Sequence, residues 1–262
     1  MIRKFQSTVA RAFAWYKPPL IAAALLSSLA APAWTAEWDR PRVDKVLAAS
    51  SQETPADLIN QNLTGLNLSG VDFGGANMRS ITLNGSNLAD ADLSGVTLDL
   101  AIAPGVNLAG ANMHAASLFS VVMTGANLSN AKLMGARIIG DLNEANLQGA
   151  DLSNAEAAVD MQNQSMGLMN ARFDQANLSN ANLSGADLGH ASLRFADLIG
   201  ANLRGANLTD ADVSGADFTG ADLTNANLSG ATVISATFTD IKGRDTIKGL
   251  KSVEGIDEAI GL

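Results

Sequence analysis

Cysteine is absent from all 262 residues, which excludes disulfides, thiolate metal sites, a cysteine nucleophile and a lipid-modified N-terminal cysteine. Aromatic residues make up only 5%, and the single tyrosine, Tyr16, lies close to the N-terminus. A layered globular core filled with bulky rings is therefore not the expected architecture. Histidine occurs twice, as His114 and His190, too far from each other along an extended coil for the two to share a metal or a catalytic triad. There is no G-x-S-x-G elbow, no paired-histidine zinc motif and no phosphate-binding glycine loop. These absences argue against an enzyme and against a bound cofactor. What is abundant is alanine, leucine, asparagine, aspartate, glycine and serine. The apolar content of 47% is enough for a real core.

The first 36 residues contain Arg3, Lys4, Arg11 and Lys17 and no acid. An apolar run from Leu20 to Ala31 follows, interrupted only by Ser27 and Ser28, and it ends in Ala31-Pro32-Ala33. This reads as a secretory signal over residues 1–33 with cleavage after Ala33, directing the chain to the periplasm or an equivalent compartment. The run falls short of the roughly 20 apolar residues a membrane span needs, so no stable anchor is expected after cleavage. An organelle transit peptide, leading for example to a thylakoid lumen, is the alternative. The chain carries a net charge of −9, and removing the basic leader makes the remainder more acidic still.

From Gln61 onward a large apolar residue recurs every fifth position: Leu63, Leu68, Phe73, Met78, Leu83, Leu88, Leu93, Leu98. Two residues before it stands a small residue, usually alanine, as at Ala76, Ala91, Ala111, Ala181 and Ala186. Asn, Asp, Ser or Thr lies between them, and two residues after the large one there is often glycine, as at Gly65, Gly70 and Gly205. A period of five cannot be an α-helical face, because successive leucines would step round it by about 140°. In an extended chain the alternation would invert at every repeat unless a bend reset it, and the Gly, Asn, Asp and Ser positions tolerate such bends. The chain therefore turns a corner every five residues with Ala and Leu inside.

This pattern resembles the pentapeptide-repeat family, A-(D/N)-L-x-x, as in Ala176-Asn177-Leu178-Ser179-Asn180 and Ala201-Asn202-Leu203-Arg204-Gly205. The resemblance covers residues 61–240. It implies an all-β fold, a right-handed quadrilateral β-helix with four repeats to each coil and about nine coils. Read in twenties, one expected ladder is Leu68, Leu88, Leu108, Leu128, Leu147, Leu168, Leu188, Leu208 and Leu228. Another, containing Leu142, Gln162 and Leu183, has weak positions at Ala103 and Gln162. One residue is missing near Ile139-Gly140-Asp141, and one extra residue between Ala155 and Met166 is expected to restore the phase.

Residues 34–60 are expected to form a linker and a helical N-terminal cap centred on Asp39–Ala49, and residues 241–262 a C-terminal cap or, alternatively, a homodimer interface. The irregular stretch at about 156–166 is the candidate partner-contact site: Glu156, Asp160, Met161, Gln162, Asn163 and Gln164. A carboxylate grouping of Asp187, Asp197, Asp212, Asp217 and Asp222 reads as repeat grammar. The expected function is a non-enzymatic exported scaffold or protein-binding module with an acidic surface and an unidentified protein partner. The alternative, carried by the resemblance, is a DNA mimic acting on a topoisomerase. Nucleic acid itself is not an expected partner.

Overall fold

The computed structural model describes residues 38–51, 53–158 and 170–262. Trp38–Leu262 forms one compact unit. Its chain pairs with itself in parallel, each bridge reaching four repeats ahead: Asn67 with Asn87, Asn87 with Asn107, Asn107 with Asn127. Four bridging positions occur per coil, giving four faces. We label them by their lowest bridging residues: first (Asp57), second (Asn62), third (Asn67) and fourth (Asp72).

Each corner follows from the five-residue grammar. The large residue's carbonyl accepts from the amide three residues on, as from Ala91 to Leu88 at 3.1 Å, closing a β-turn. The third residue of that turn has positive φ. Glycine serves at Gly65, Gly70 and Gly75, and Asn60, Asp90 and Asn130 serve where a side chain is kept. The polar residue before the large one accepts from the backbone two positions on, as Asn62 Oδ1 does from Thr64 N at 3.0 Å. The coils are joined by backbone bonds in both directions. Leu88 N donates to Asn107 O at 2.7 Å, and Asn107 N donates to Ser86 O at 2.9 Å. The leucines and alanines of the inward columns are almost fully buried. Ser86, in an alanine position, stays satisfied by donating to Leu63 O at 2.7 Å.

The expected missing residue is visible in the bridge from Lys132 to Asp151, which is one position shorter than its predecessors. Here the corner opens into strand β2 (Arg137–Asp141), paired in parallel with β1 (Ser117–Val122) across a bulge between Phe119 and Val121. Gly140 lies so close that a Cβ there would stand 2.4 Å from Val121 O. Ile139 is buried although it is not part of the interior cluster.

The expected single-residue compensation is not what the chain does. Glu156 pairs with Asp187 and Asp141 with Arg172, steps of 31 residues where a regular coil takes 20, so the spacing makes an excursion of eleven residues from the coil period between Ala157 and Phe173. Beyond that point the expected ladders are shifted by two faces. Leu147 is followed by Leu178, Leu198, Phe218 and Phe238 in place of Leu168 and Leu188, and Leu142 is followed by Phe173 in place of Gln162. The two chain slips therefore do not cancel.

At the N-terminal end α1 (Arg40–Ala48) starts on Asp39, whose side chain accepts from Arg42 N. It buries Val43, and Trp38 donates from Nε1 to Gln61 Oε1 at 2.7 Å. At the C-terminal end the bridges lengthen to a six-residue step through Lys242, Lys248, Glu254 and Ile260. Gly243, Gly249 and Gly255 stand where earlier coils place a large inward residue, and each precedes a single 3-10 turn. The bulk moves to Ile241, Ile247 and Val253, which pack half-buried on the core. Among the described residues no helix is long and apolar enough to cross a membrane.

Candidate functional site

Of the six candidate contact residues, Asp160, Met161, Gln162, Asn163 and Gln164 lie outside the described residues. Glu156 is placed differently from expectation. It is an ordinary bridging residue of the first face, paired with Arg137 and Asp187, and its amide donates to Ala136 O at 2.9 Å. The regular coil thus runs through Ala157.

From Arg172 onward the second face carries a charge network. Arg172 stacks over Asp141, with 3.6 Å between Nη1 and Oδ2. Arg194 Nη2 donates to Asp174 Oδ2 at 2.7 Å and its Nε lies 4.0 Å from Asp212. Asp174 is almost fully buried and also accepts from the Ser192 hydroxyl and from Arg194 N. Burial works to raise its pKa, but hydrogen bonds from Arg194 and Ser192 overcome it and hold the carboxyl below its usual value. The hydrogen bond to Asp174 in turn raises Arg194. The Arg172–Asp141 contact was hidden because its two members lie on opposite sides of the long step, whereas Arg194 and Asp174 are one regular coil apart.

The carboxylate grouping read from the sequence is dispersed. Asp187 is on the first face, Asp212 on the second, Asp197 and Asp217 on the third and Asp222 on the fourth. Asp92, on the fourth, is followed by Asn112, Lys132, Asp151, Asn182, Asn202 and Asp222, so Arg172 and Ser192 do not belong to that column as expected. Asp92 is held low chiefly by its hydrogen bond from Ser94. In Asp222 burial acts upward and is overcome by hydrogen bonds from Thr224 and Arg204. His114 Nδ1 lies 2.8 Å from Met134 O, while His190 Nε2 lies 3.7 Å from Asp210. Among the described residues no three His, Asp or Glu side chains converge as metal ligands do.

The family model for pentapeptide repeats matches in eight copies, over residues 56–79, 62–99, 105–138, 168–205 and 201–240. This chain belongs to the pentapeptide-repeat family. The longest internal stretch that the family model leaves unmatched, 139–167, holds both the missing residue and most of the excursion.

A search of the curated proteins returned no match. Among solved structures, full-length QnrB1, a plasmid-mediated fluoroquinolone resistance protein, is 20% identical over 75% of this chain and 95% of its own, with a TM-score of 0.54. That likeness shows the pentapeptide-repeat β-helix fold. HetL, a pentapeptide repeat protein involved in heterocyst differentiation regulation from the cyanobacterium Nostoc sp. strain PCC 7120, is 29% identical over 86% of this chain and 95% of its own, with a TM-score of 0.39. A pentapeptide repeat protein from the Arabidopsis thaliana thylakoid lumen is 30% identical over 56% of this chain and 68% of its own, with a TM-score of 0.16.

Proposed function

We propose that this pentapeptide-repeat chain is a non-enzymatic exported scaffold that binds a partner protein through its acidic outer surface. The observation that carries the reading is the outward array itself. Backbone pairing on both sides of every coil fixes columns of polar side chains, and a fixed array binds with little ordering entropy lost. Export is supported by the basic, acid-free start, the short apolar run and Ala31-Pro32-Ala33. The finer architecture in this reading is a right-handed coil of about nine turns, closed at its ends by α1 and by the six-residue steps after Lys242. A homodimer through the latter end belongs to the same reading.

Capture of partners from the periplasmic fraction by the tagged chain, with its N-terminus sequenced, tests this. Cleavage after Ala33 together with specific capture supports it. An uncleaved cytoplasmic product, or turnover lost on mutating a few residues, overturns it. A DNA mimic needs a long unbroken acidic line. The fourth face instead interrupts its carboxylates with Lys132 and Lys242, and the second with Arg172.

A further inference from the structure

On the third face the outward bridging residues Asn67, Asn87, Asn107, Asn127 and Asn146 form an amide ladder. Each Nδ2 donates to Oδ1 of the asparagine one coil earlier, at 2.8 to 3.3 Å. The column continues through Asn177 and then changes to Asp197 and Asp217. The last amide-to-amide bond is that of Asn146, and because carboxylates only accept, the two acids cannot resume the ladder. The two are bridge partners, about 4.8 Å apart along the coil axis, where like charges repel.

Stacked acids elsewhere are relieved by a neighbouring coil. Asp92, above Asp72, accepts from Asn112 Nδ2 at 3.0 Å, and Asp187, above Glu156, accepts from Asn207 Nδ2 at 2.8 Å. Asp197 and Asp217 have no such donor among the described residues. Asp197 accepts from Ile199 N, and Asp217 from Thr219 N and Oγ1, all within their own turns. Arg194 is engaged with Asp174 and Asp212 on the adjoining face.

Apolar side chains flank this unrelieved pair. Phe195, at the corner before Asp197, is 67% exposed and has φ +57, a conformation its column otherwise gives mainly to glycine. Its ring lies against the next coil, where a Cβ on Gly215 would fall 2.4 Å from Cδ1. Ile199 is 43% exposed at the following corner, and Ile260, two bridges beyond Asp217 in the same column, is 58% exposed. Three local preferences are broken close together: stacked like charges, an aromatic in a left-handed corner and apolar groups in water. Such conflicts concentrate at functional sites.

We propose that the third face between Phe195 and Ile260 binds an extended segment of a partner protein carrying a lysine or arginine between apolar side chains. This rests on the binding-scaffold reading above. The cation answers the Asp197–Asp217 repulsion, its aliphatic stem and neighbours cover Phe195, Ile199 and Ile260, and the negative potential rejects acidic segments. A second copy of this acidic chain is disfavoured by the same charge.

The variants that test this should fold, because each restores the repeat's own residue. Asp197→Asn with Asp217→Asn continues the asparagine column, and Phe195→Asn installs the residue used at the corners Asn180 and Asn225. The probe is a fluorescein-labelled peptide Gly-Leu-Thr-Lys-Thr-Leu-Gly, titrated into the full-length chain and followed by anisotropy. A second peptide has glutamate in place of lysine.

Saturable binding of the lysine peptide is expected. It should weaken about tenfold or more in the double variant and in Phe195→Asn, weaken with added salt, and stay unchanged in Asp72→Asn with Asp92→Asn. No saturable binding, equal binding of the glutamate peptide or insensitivity to the third-face variants overturns the proposal. Self-association seen by sedimentation and abolished by these variants also overturns it, by identifying a second copy as the occupant. Cellular partners captured equally by parent and double variant would keep the scaffold reading and reject this face. Capture by neither would reject the scaffold reading itself.

Discussion

Phe218 and Phe238 stack on successive coils of the third face with ring centroids 4.8 Å apart and planes within 5°. The pair fills the interior column that begins with Leu68 and passes through Leu147 and Leu178. Both rings are almost fully buried, so truncation leaves a cavity that the rigid coils cannot collapse. Phe218→Ala should cost about 3–5 kcal/mol in guanidinium denaturation. Phe195→Asn should have the opposite sign, a gain of up to about 1 kcal/mol, because it relieves a left-handed corner and removes exposed apolar surface.

The register across the excursion can be fixed chemically, since the chain has no cysteine of its own. Asn146 and Asn177 are bridge partners, which brings their Cα atoms within disulfide range. Asn146→Cys with Asn177→Cys should oxidise readily. Asn146→Cys with Gly167→Cys, the pair implied by placing Leu168 over Leu147, should not. The reverse result would restore the uninterrupted phase of four repeats per coil.

Removing residues 159–169 should leave the coil intact. The junction would read Ala157-Ala158-Asn170-Ala171-Arg172-Phe173, a single repeat step with asparagine at the corner, alanine at the small position and arginine bridging Asp141. The shortened chain should keep its far-UV circular dichroism and lie within about 1 kcal/mol of the parent, since loop length weighs little on stability. Gly140→Ala, by contrast, forces a methyl against Val121 O and should cost about 1–3 kcal/mol.

Asp174 makes the second-face network acid-sensitive. Its folded-state pKa is depressed, so its stabilisation is full above the ordinary unfolded value of about 4 and is lost as pH falls through the lower folded value. Asp174→Asn should therefore destabilise the chain at pH 7, and the gap to the parent should narrow at pH 3. A gap independent of pH would show that packing, and not charge, sets the contribution of this side chain.

The corners and the inward columns up to Ala157 were legible because every repeat restates the same rule. The small, polar and large residues and the turn former recur in the order that the β-turn and the parallel bridges use. The register after Ala157 was not legible. The step from Ala157 to Phe173 suits three repeats plus one extra position as readily as one repeat plus an excursion. Every error in assigning Gln162, Leu168 and Arg172 to columns descends from that ambiguity. The Arg172–Asp141 contact was hidden with it, while Arg194 and Asp174, one coil apart, were within reach of the 20-residue spacing. The third-face acids were visible as residues, but their isolation from cations emerges only when Arg194 is seen engaged with Asp174 and Asp212, and Arg204 with Asp222, on other faces.

Photo-crosslinking in living cells tests the central claim, that this is an exported scaffold with a protein-binding face, most directly. Benzoylphenylalanine would replace Phe195, with Ser94 on the fourth face as the control position. The expected result is one or a few discrete, light-dependent adducts with proteins of the exported compartment at position 195 and none at 94. No adduct at 195, adducts only with cytoplasmic proteins, or the same pattern from both positions would contradict it.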